Sequence, residues 1–249
     1  MCCFSRPVDL VANTNIFAHS SKDGRQFLVY AMTLSAKEDL SMILPIPTPK
    51  DAKEDAVKFI NLEKYADFFK DMLAGFPAPK PPRGGDKDKS DDKPKDNSLK
   101  VVEVGSFEAS FVPQIKDFSR LDERFRLPTE VWDKLPQYKD YGFTVFKLKK
   151  GASKVHPMAF EFPRAKPRQL FFPTVHIHDG KVHEKADFDH WLFCQKGDGD
   201  ETDLMKWEES PQPVGLFMKI DKAQGLLEKD AHCYRKEMRG TLKNEDVVL

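Results

Sequence analysis

Apolar and polar positions alternate early in the chain. TNIFAH (14–19), RQFLVYAM (25–32) and SMILPIP (41–47) each carry the two-residue period of a strand. SKDG, ending at Gly24, separates the first two and predicts a hairpin turn. PIPTP then ends the sheet, because proline cannot donate to a central ladder. From Asp51 the period lengthens: Val57, Ile60, Tyr65, Phe68, Phe69, Met72 and Leu73 recur at three- and four-residue steps. That spacing predicts one main amphipathic helix over 54–74, closed by Gly75 and Pro77.

Residues 78–98 contain no large apolar side chain, so burial cannot offset their ordering entropy. They are expected to form a disordered surface loop. Alternation returns at 99–113, where Phe107, Ala109 and Phe111 share one face. Short helical turns are expected at 121–125 and 129–135, the second bracketed by Pro128 and Pro136. Strands follow at 141–150, 156–163, 190–195 and 214–220, and Asp221 is placed to cap a C-terminal helix ending at Gly240. The sum is one α+β domain spanning 1–249, a mostly antiparallel β-sheet or sandwich carrying a main helix and a C-terminal one.

Charge narrows the partners. Forty basic residues balance forty acidic ones among 249. A neutral chain has no long-range field to hold nucleic acid or an anionic membrane, so neither is expected as a partner. No apolar run approaches the ~20 residues of a membrane helix. MCCFSRPVDL shows no charged region followed by an apolar one, so a cytoplasmic address is expected. Four cysteines (Cys2, Cys3, Cys194, Cys233) then read as thiols rather than bridges. Twenty phenylalanines predict an aromatic core.

CCF at 2–4, ILPIP at 43–47 before an amphipathic helix, VEVGSFEASFVP, and YGFTVFKLKKGASKVHPMAFEFP resemble a bacterial family known only as a domain of unknown function. Its members often show Cys-x-Cys-Phe after a signal peptide, then a Leu-Pro-x-Pro strand. The resemblance covers about two thirds of this chain. It implies the architecture and brings no activity with it. This sequence departs from the pattern in lacking the signal peptide and in its histidines.

Four of the seven histidines fall between 176 and 190, in TVHIHDGKVHEKADFDH. Val175 and Ile177 alternate with His176 and His178, and Asp179-Gly180 is a favoured two-residue hairpin turn. Such a turn would pair 176 with 183 and set His176, His178 and His183 on one face. Opposed Cβ atoms would then lie ~5 Å apart and diagonal ones ~7 Å. Three neutral imidazoles so placed could hold one transition-metal ion, zinc or copper first. His190, Glu184, Cys2 and Cys3 are the further candidates for the shell. The competing reading is a wet hairpin face with no metal, since Lys181 would share it.

Cys2 supports a different chemistry. A mature chain starting at Cys2 would place a thiol nucleophile beside its own α-amine, as in N-terminal nucleophile hydrolases. Cys3 stands where the glutamine amidotransferases of that class carry glycine. Cys194 and Cys233 read as core, and His19, His156 and His232 as isolated polar residues. No dinucleotide fingerprint, phosphate loop, HExxH, CxxC or GxSxG occurs. Three functions therefore stand: a histidine-hairpin metal protein, a non-catalytic binding or structural module, and an N-terminal-cysteine hydrolase.

Overall fold

A computed structural model describes residues 2–77, 107–197 and 203–249. The expected loop at 78–98, the first half of the strand expected from 99, and most of the loop after Lys196 lie outside the described residues.

The chain opens with β1 (Cys2–Phe4), β2 (Leu10–Ser20), β3 (Arg25–Ala36), β4 (Leu40–Ile46) and β5 (Lys58–Asn61), then α1 (Phe68–Ala74) and β6 (Glu108–Val112). After α2 (Thr129–Asp133) come β7 (Gly142–Leu148), β8 (Gly151–Pro163), β9 (Phe171–Phe172), β10 (His176–Ile177) and β11 (Lys185–Gln195). The last strands are β12 (Glu208–Glu209), β13 (Tyr234–Lys243) and β14 (Val247–Val248). They build a five-stranded sheet in the order β10-β1-β4-β7-β6 and a seven-stranded sheet in the order β12-β13-β11-β2-β3-β8-β5. A small β14-β9 ribbon completes the set. Pairing is antiparallel except for β1 with β10 and β11 with β2. The fold is α+β with mostly antiparallel sheets.

Strand alternation explains the layering. Ile16, Ala18, Leu28, Tyr30, Phe160, Leu192 and Cys194 point from the seven-stranded sheet into a core shared with Ile43, Val145 and Phe146 of the other sheet. Phe17, Val29, Ala159 and Phe193, one residue out of step, face a second core under α1. The larger sheet is thus covered on both faces. Phe68, Phe69 and Met72 supply the apolar side of α1 in that outer layer.

Three local expectations are corrected. The periodic stretch 54–74 is helical only from Phe68, because Lys58–Asn61 pairs with the edge of β8 and obtains its backbone hydrogen bonds there. Phe59 packs on Phe146 and Phe160 from that edge. The strand expected at 214–220 is replaced by short 3-10 turns at Val214–Leu216 and Ile220–Lys222, and Val214 and Met218 cap the outer core. The C-terminal helix expected from Asp221 to Gly240 is absent: Tyr234–Lys243 is β13, paired with β11 from Cys194↔Tyr234 to Lys185↔Lys243. Ladder bonds to a neighbouring strand outweigh a weak helical pattern.

Candidate functional site

β1 is the seam on which the candidate residues meet. Its backbone runs between β10 and β4, with Cys2 paired to His176 and Cys3 to both Ile177 and Ile43. The N-terminal strand therefore lies beside the first histidines in register. Cys3 is buried in the shared core, and of Cys2 only the backbone is described.

The expected hairpin at Asp179-Gly180 does not form, and this corrects the ligand geometry built on it. Asp179 Oδ1 accepts from Lys181 N at 3.0 Å, an Asx turn, and no strand resumes until Lys185. The groups that 183 would have satisfied on His176 are taken by Asn244. Its Oδ1 accepts from His176 N at 2.7 Å, and its Nδ2 donates to His176 O and His183 O at 3.0 Å each. His183 is exposed over 55% of its side chain and its Nε2 pairs with Asp179 Oδ2 at 3.1 Å. Glu184 contributes a backbone carbonyl to Asn244 N and is exposed.

Three other histidines do come together. His176, His178 and His190 form a ring cluster, with centroids 4.9 Å apart for His176–His178 and 4.7 Å for His176–His190. Phe188 packs against His176 at a tilt, 4.4 Å between centroids, and Phe4 meets His178 at 5.6 Å. His190 reaches His176 from the opposite sheet, because His190, Phe188 and Leu192 all point inward from β11. His176 Nε2 and His190 Nε2 stand 2.9 Å apart, with 7% and 1% of each residue exposed.

Electrostatics keep these rings neutral. Burial, then the neighbouring imidazole of His190, pushes His176 down to about 2, and burial pushes His178 down to about 4. Burial also lowers His190, against the opposing pull of Asp189. Asp189 Oδ1 lies 3.5 Å from His190 Nδ1, too far for a strong hydrogen bond, while Asp189 Oδ2 accepts from Asn13 N at 2.6 Å. His178 Nε2 and His190 Nδ1 are buried without a hydrogen-bond partner. Among the described residues no three His, Cys, Asp or Glu side chains are disposed as a metal cage.

The isolated histidines behave as ordinary polar groups. His19 Nδ1 meets Leu226 O at 3.2 Å, His232 Nδ1 meets Ser210 O at 2.6 Å, and His156 stacks on Phe107. Cys3, Cys194 and Cys233 are buried thiols.

Sequence reasoning missed a second feature at the other end of β1. Ser5 and Arg6, leaving that strand, wall a cleft of about 530 Å³ together with Ile115, Phe118, Leu127 and Trp132. Ser5 is anchored: its Oγ donates to Arg124 O at 2.7 Å and accepts from Ser41 N at 2.9 Å. Trp132, 4% exposed, stacks on Phe118 at 5.3 Å and its indole N–H has no acceptor. Arg6 Nε–H is likewise buried without an acceptor. The only local signal was the proline-bracketed turn around Trp132; the convergence of 5–6 with 115–132 is a matter of tertiary structure.

No family model matches the chain, and no curated protein matches it. Among solved structures it is similar to baculovirus P35 (15% identity, TM-score 0.49, covering 96% of each chain). It is also similar to a mutated baculovirus P35 after caspase cleavage (16%, 0.47, covering 96% of this chain and 99% of that one). The P35 of a caspase-8/P35 complex gives 14% and 0.46, covering 96% and 95%. Identities and scores this low give no residue of this chain a role.

Proposed function

We propose that the protein is a non-catalytic binding module that engages a partner through the cleft beside β1. One observation carries this reading: a concave site of about 530 Å³ whose apolar wall is joined by the half-buried Arg6, which has no acidic partner among the described residues. Ligand sites are concave and mostly apolar, with a few polar groups that fix orientation. Ile115, Phe118, Leu127 and Pro128 supply the apolar wall, and Arg6 the cation beside it. The histidine cluster belongs to the packing that holds β1 in place. Buried thiols at Cys3, Cys194 and Cys233 suit a reducing, cytoplasmic setting.

The test is a cleft-blocking variant. Ser119 lines the cleft and is exposed, so Ser119→Trp fills it without touching the core. Ligands selected from a displayed heptapeptide library on the wild-type chain should lose binding to Ser119→Trp, with thermal stability unchanged. Ligands that bind both proteins equally would overturn the reading.

A second reading keeps a transition metal, zinc or copper, at the histidines, with His176 and His190 in place of the hairpin triad. One distance favours it. The 2.9 Å between their Nε2 atoms is close to the ~3.3 Å that two imidazoles take on one tetrahedral ion with bonds of ~2.0–2.1 Å. His178, neutral and with Nε2 unpartnered, is the third donor nearby. The untagged protein, grown with both metals, should then carry one ion per chain, lost in His176→Ala and in His190→Ala. Equal metal content in wild type and both variants excludes the site.

A further inference from the structure

Resting on the binding-module reading, we propose that the occupant of this cleft is an acidic peptide segment of a protein partner, a carboxylate beside a large apolar side chain. The charges that line the cleft are Arg6, Lys116 and Arg126 against Glu123 and Glu130. Arg126 and Glu123 neutralise each other in an ion pair at 3.2 Å. Arg6 and Lys116 have no acidic partner among the described residues, so two cations face one remaining carboxylate, that of the exposed Glu130.

Position separates the two cations. Lys116 is exposed and well hydrated, so it gains little from a partner. Arg6 is half-buried, with its Nε–H cut off from water and unbonded. Its terminal nitrogens have no acidic partner among the described residues, and a planar carboxylate matches that fork of donors. A phosphate or sulfate would answer the charge alone. The wall formed by Ile115, Phe118, Leu127 and Pro128 calls for an apolar group within a residue or two of the carboxylate. A peptide carries both along one backbone, and the cleft volume is within the range of sites that bury such a ligand. The anchored Ser5 holds the strand end that presents Arg6, so the cation is preset rather than recruited.

The experiment pans a displayed random heptapeptide library on the full chain and keeps only peptides that fail to bind Ser119→Trp. Those peptides are synthesised and titrated by calorimetry against wild type, Arg6→Gln and Lys116→Gln at two salt concentrations. The expected peptides contain Asp or Glu next to a large apolar residue. They should weaken at least tenfold on Arg6→Gln, two- to threefold on Lys116→Gln, and further at high salt. Replacing the acidic residue by its amide should match the Arg6→Gln loss, and the two losses should not add. Cleft-dependent peptides that are neutral, or that bind Arg6→Gln as tightly as wild type, overturn the acidic-peptide assignment and leave the binding module standing. If no peptide is sensitive to Ser119→Trp, both fall. The peptide amide, read on the wild-type chain, guards against misfolding of the Arg6 variant, since its loss needs no change to the protein.

Discussion

His176 and His190 share a hydrogen bond from Nε2 to Nε2, 2.9 Å long, across the interface of the two sheets. One ring must carry its proton on Nε2 and the other must offer a lone pair, so both are neutral but in different tautomers. Protonating the acceptor ring on Nε2 would put two donors face to face, and protonating the donor ring on Nδ1 would place an imidazolium in a buried site.

Stability should therefore fall on mild acidification. The folded values of His176, His178 and His190 are all depressed, so the unfolded chain binds more protons as pH drops below ~6.5. The stabilisation is fully present above ~6.5 and declines by about 1.4 kcal/mol per pH unit for each histidine that stays neutral in the fold. Urea unfolding at pH 7.5, 6.0 and 5.0 should show the midpoint dropping at each step. A midpoint that holds steady or rises over that range would show that the rings are charged or solvated.

His183 of the loop and His190 of the strand should differ sharply in what truncation costs. His190→Ala opens a cavity against Phe188 and strands His176 Nε2, at a cost of about 2–4 kcal/mol. His183→Ala removes an exposed pair with Asp179 and should change stability by less than about 0.5 kcal/mol. Chemical denaturation of both variants at pH 7.5 checks the contrast; similar losses would mean that the loop is as ordered as the core.

Gln26 should prove costly to replace. Phe171 pairs with Val248, and the bonded neighbour pair is Leu170 with Leu249, so the amide groups of Phe171 point away from β14. The fully buried side chain of Gln26 receives both: its Oε1 accepts from Phe171 N at 3.0 Å and its Nε2 donates to Phe171 O at 2.7 Å. Gln26→Leu keeps the volume but orphans two buried backbone groups, and should cost about 2–5 kcal/mol. A loss under about 1 kcal/mol in urea unfolding would show that water replaces the amide.

Gly215 is a packing position. A Cβ there would sit 2.7 Å from the carbonyl oxygen of Lys229, whose backbone is fixed by the bond from Gly215 N to that same oxygen at 2.8 Å. Gly215→Ala should destabilise by about 1–3 kcal/mol and lower the melting temperature by several degrees. An unchanged melting temperature would show that the turn at 214–216 can shift to admit a methyl group.

The alternating strands were legible in the residues themselves. Phe17 between Ile16 and Ala18, or Phe193 between Leu192 and Cys194, must face opposite sides of any strand, and the two cores divide along that alternation. The class of fold follows from such patterns because they are local. Elements that depended on a distant partner were not legible. Lys58–Asn61 and Tyr234–Lys243 have sequences compatible with helix, and become strands because β8 and β11 present open edges to them. The histidines show the same division. Their number and burial potential were visible, yet an Asx turn at Asp179 and the side chain of Asn244 displaced the hairpin, and His190 entered from another sheet. The cleft at Arg6 and Trp132 joins residues more than a hundred positions apart. Periodicity assigns a side chain to a face, but only the packing of layers decides which faces meet.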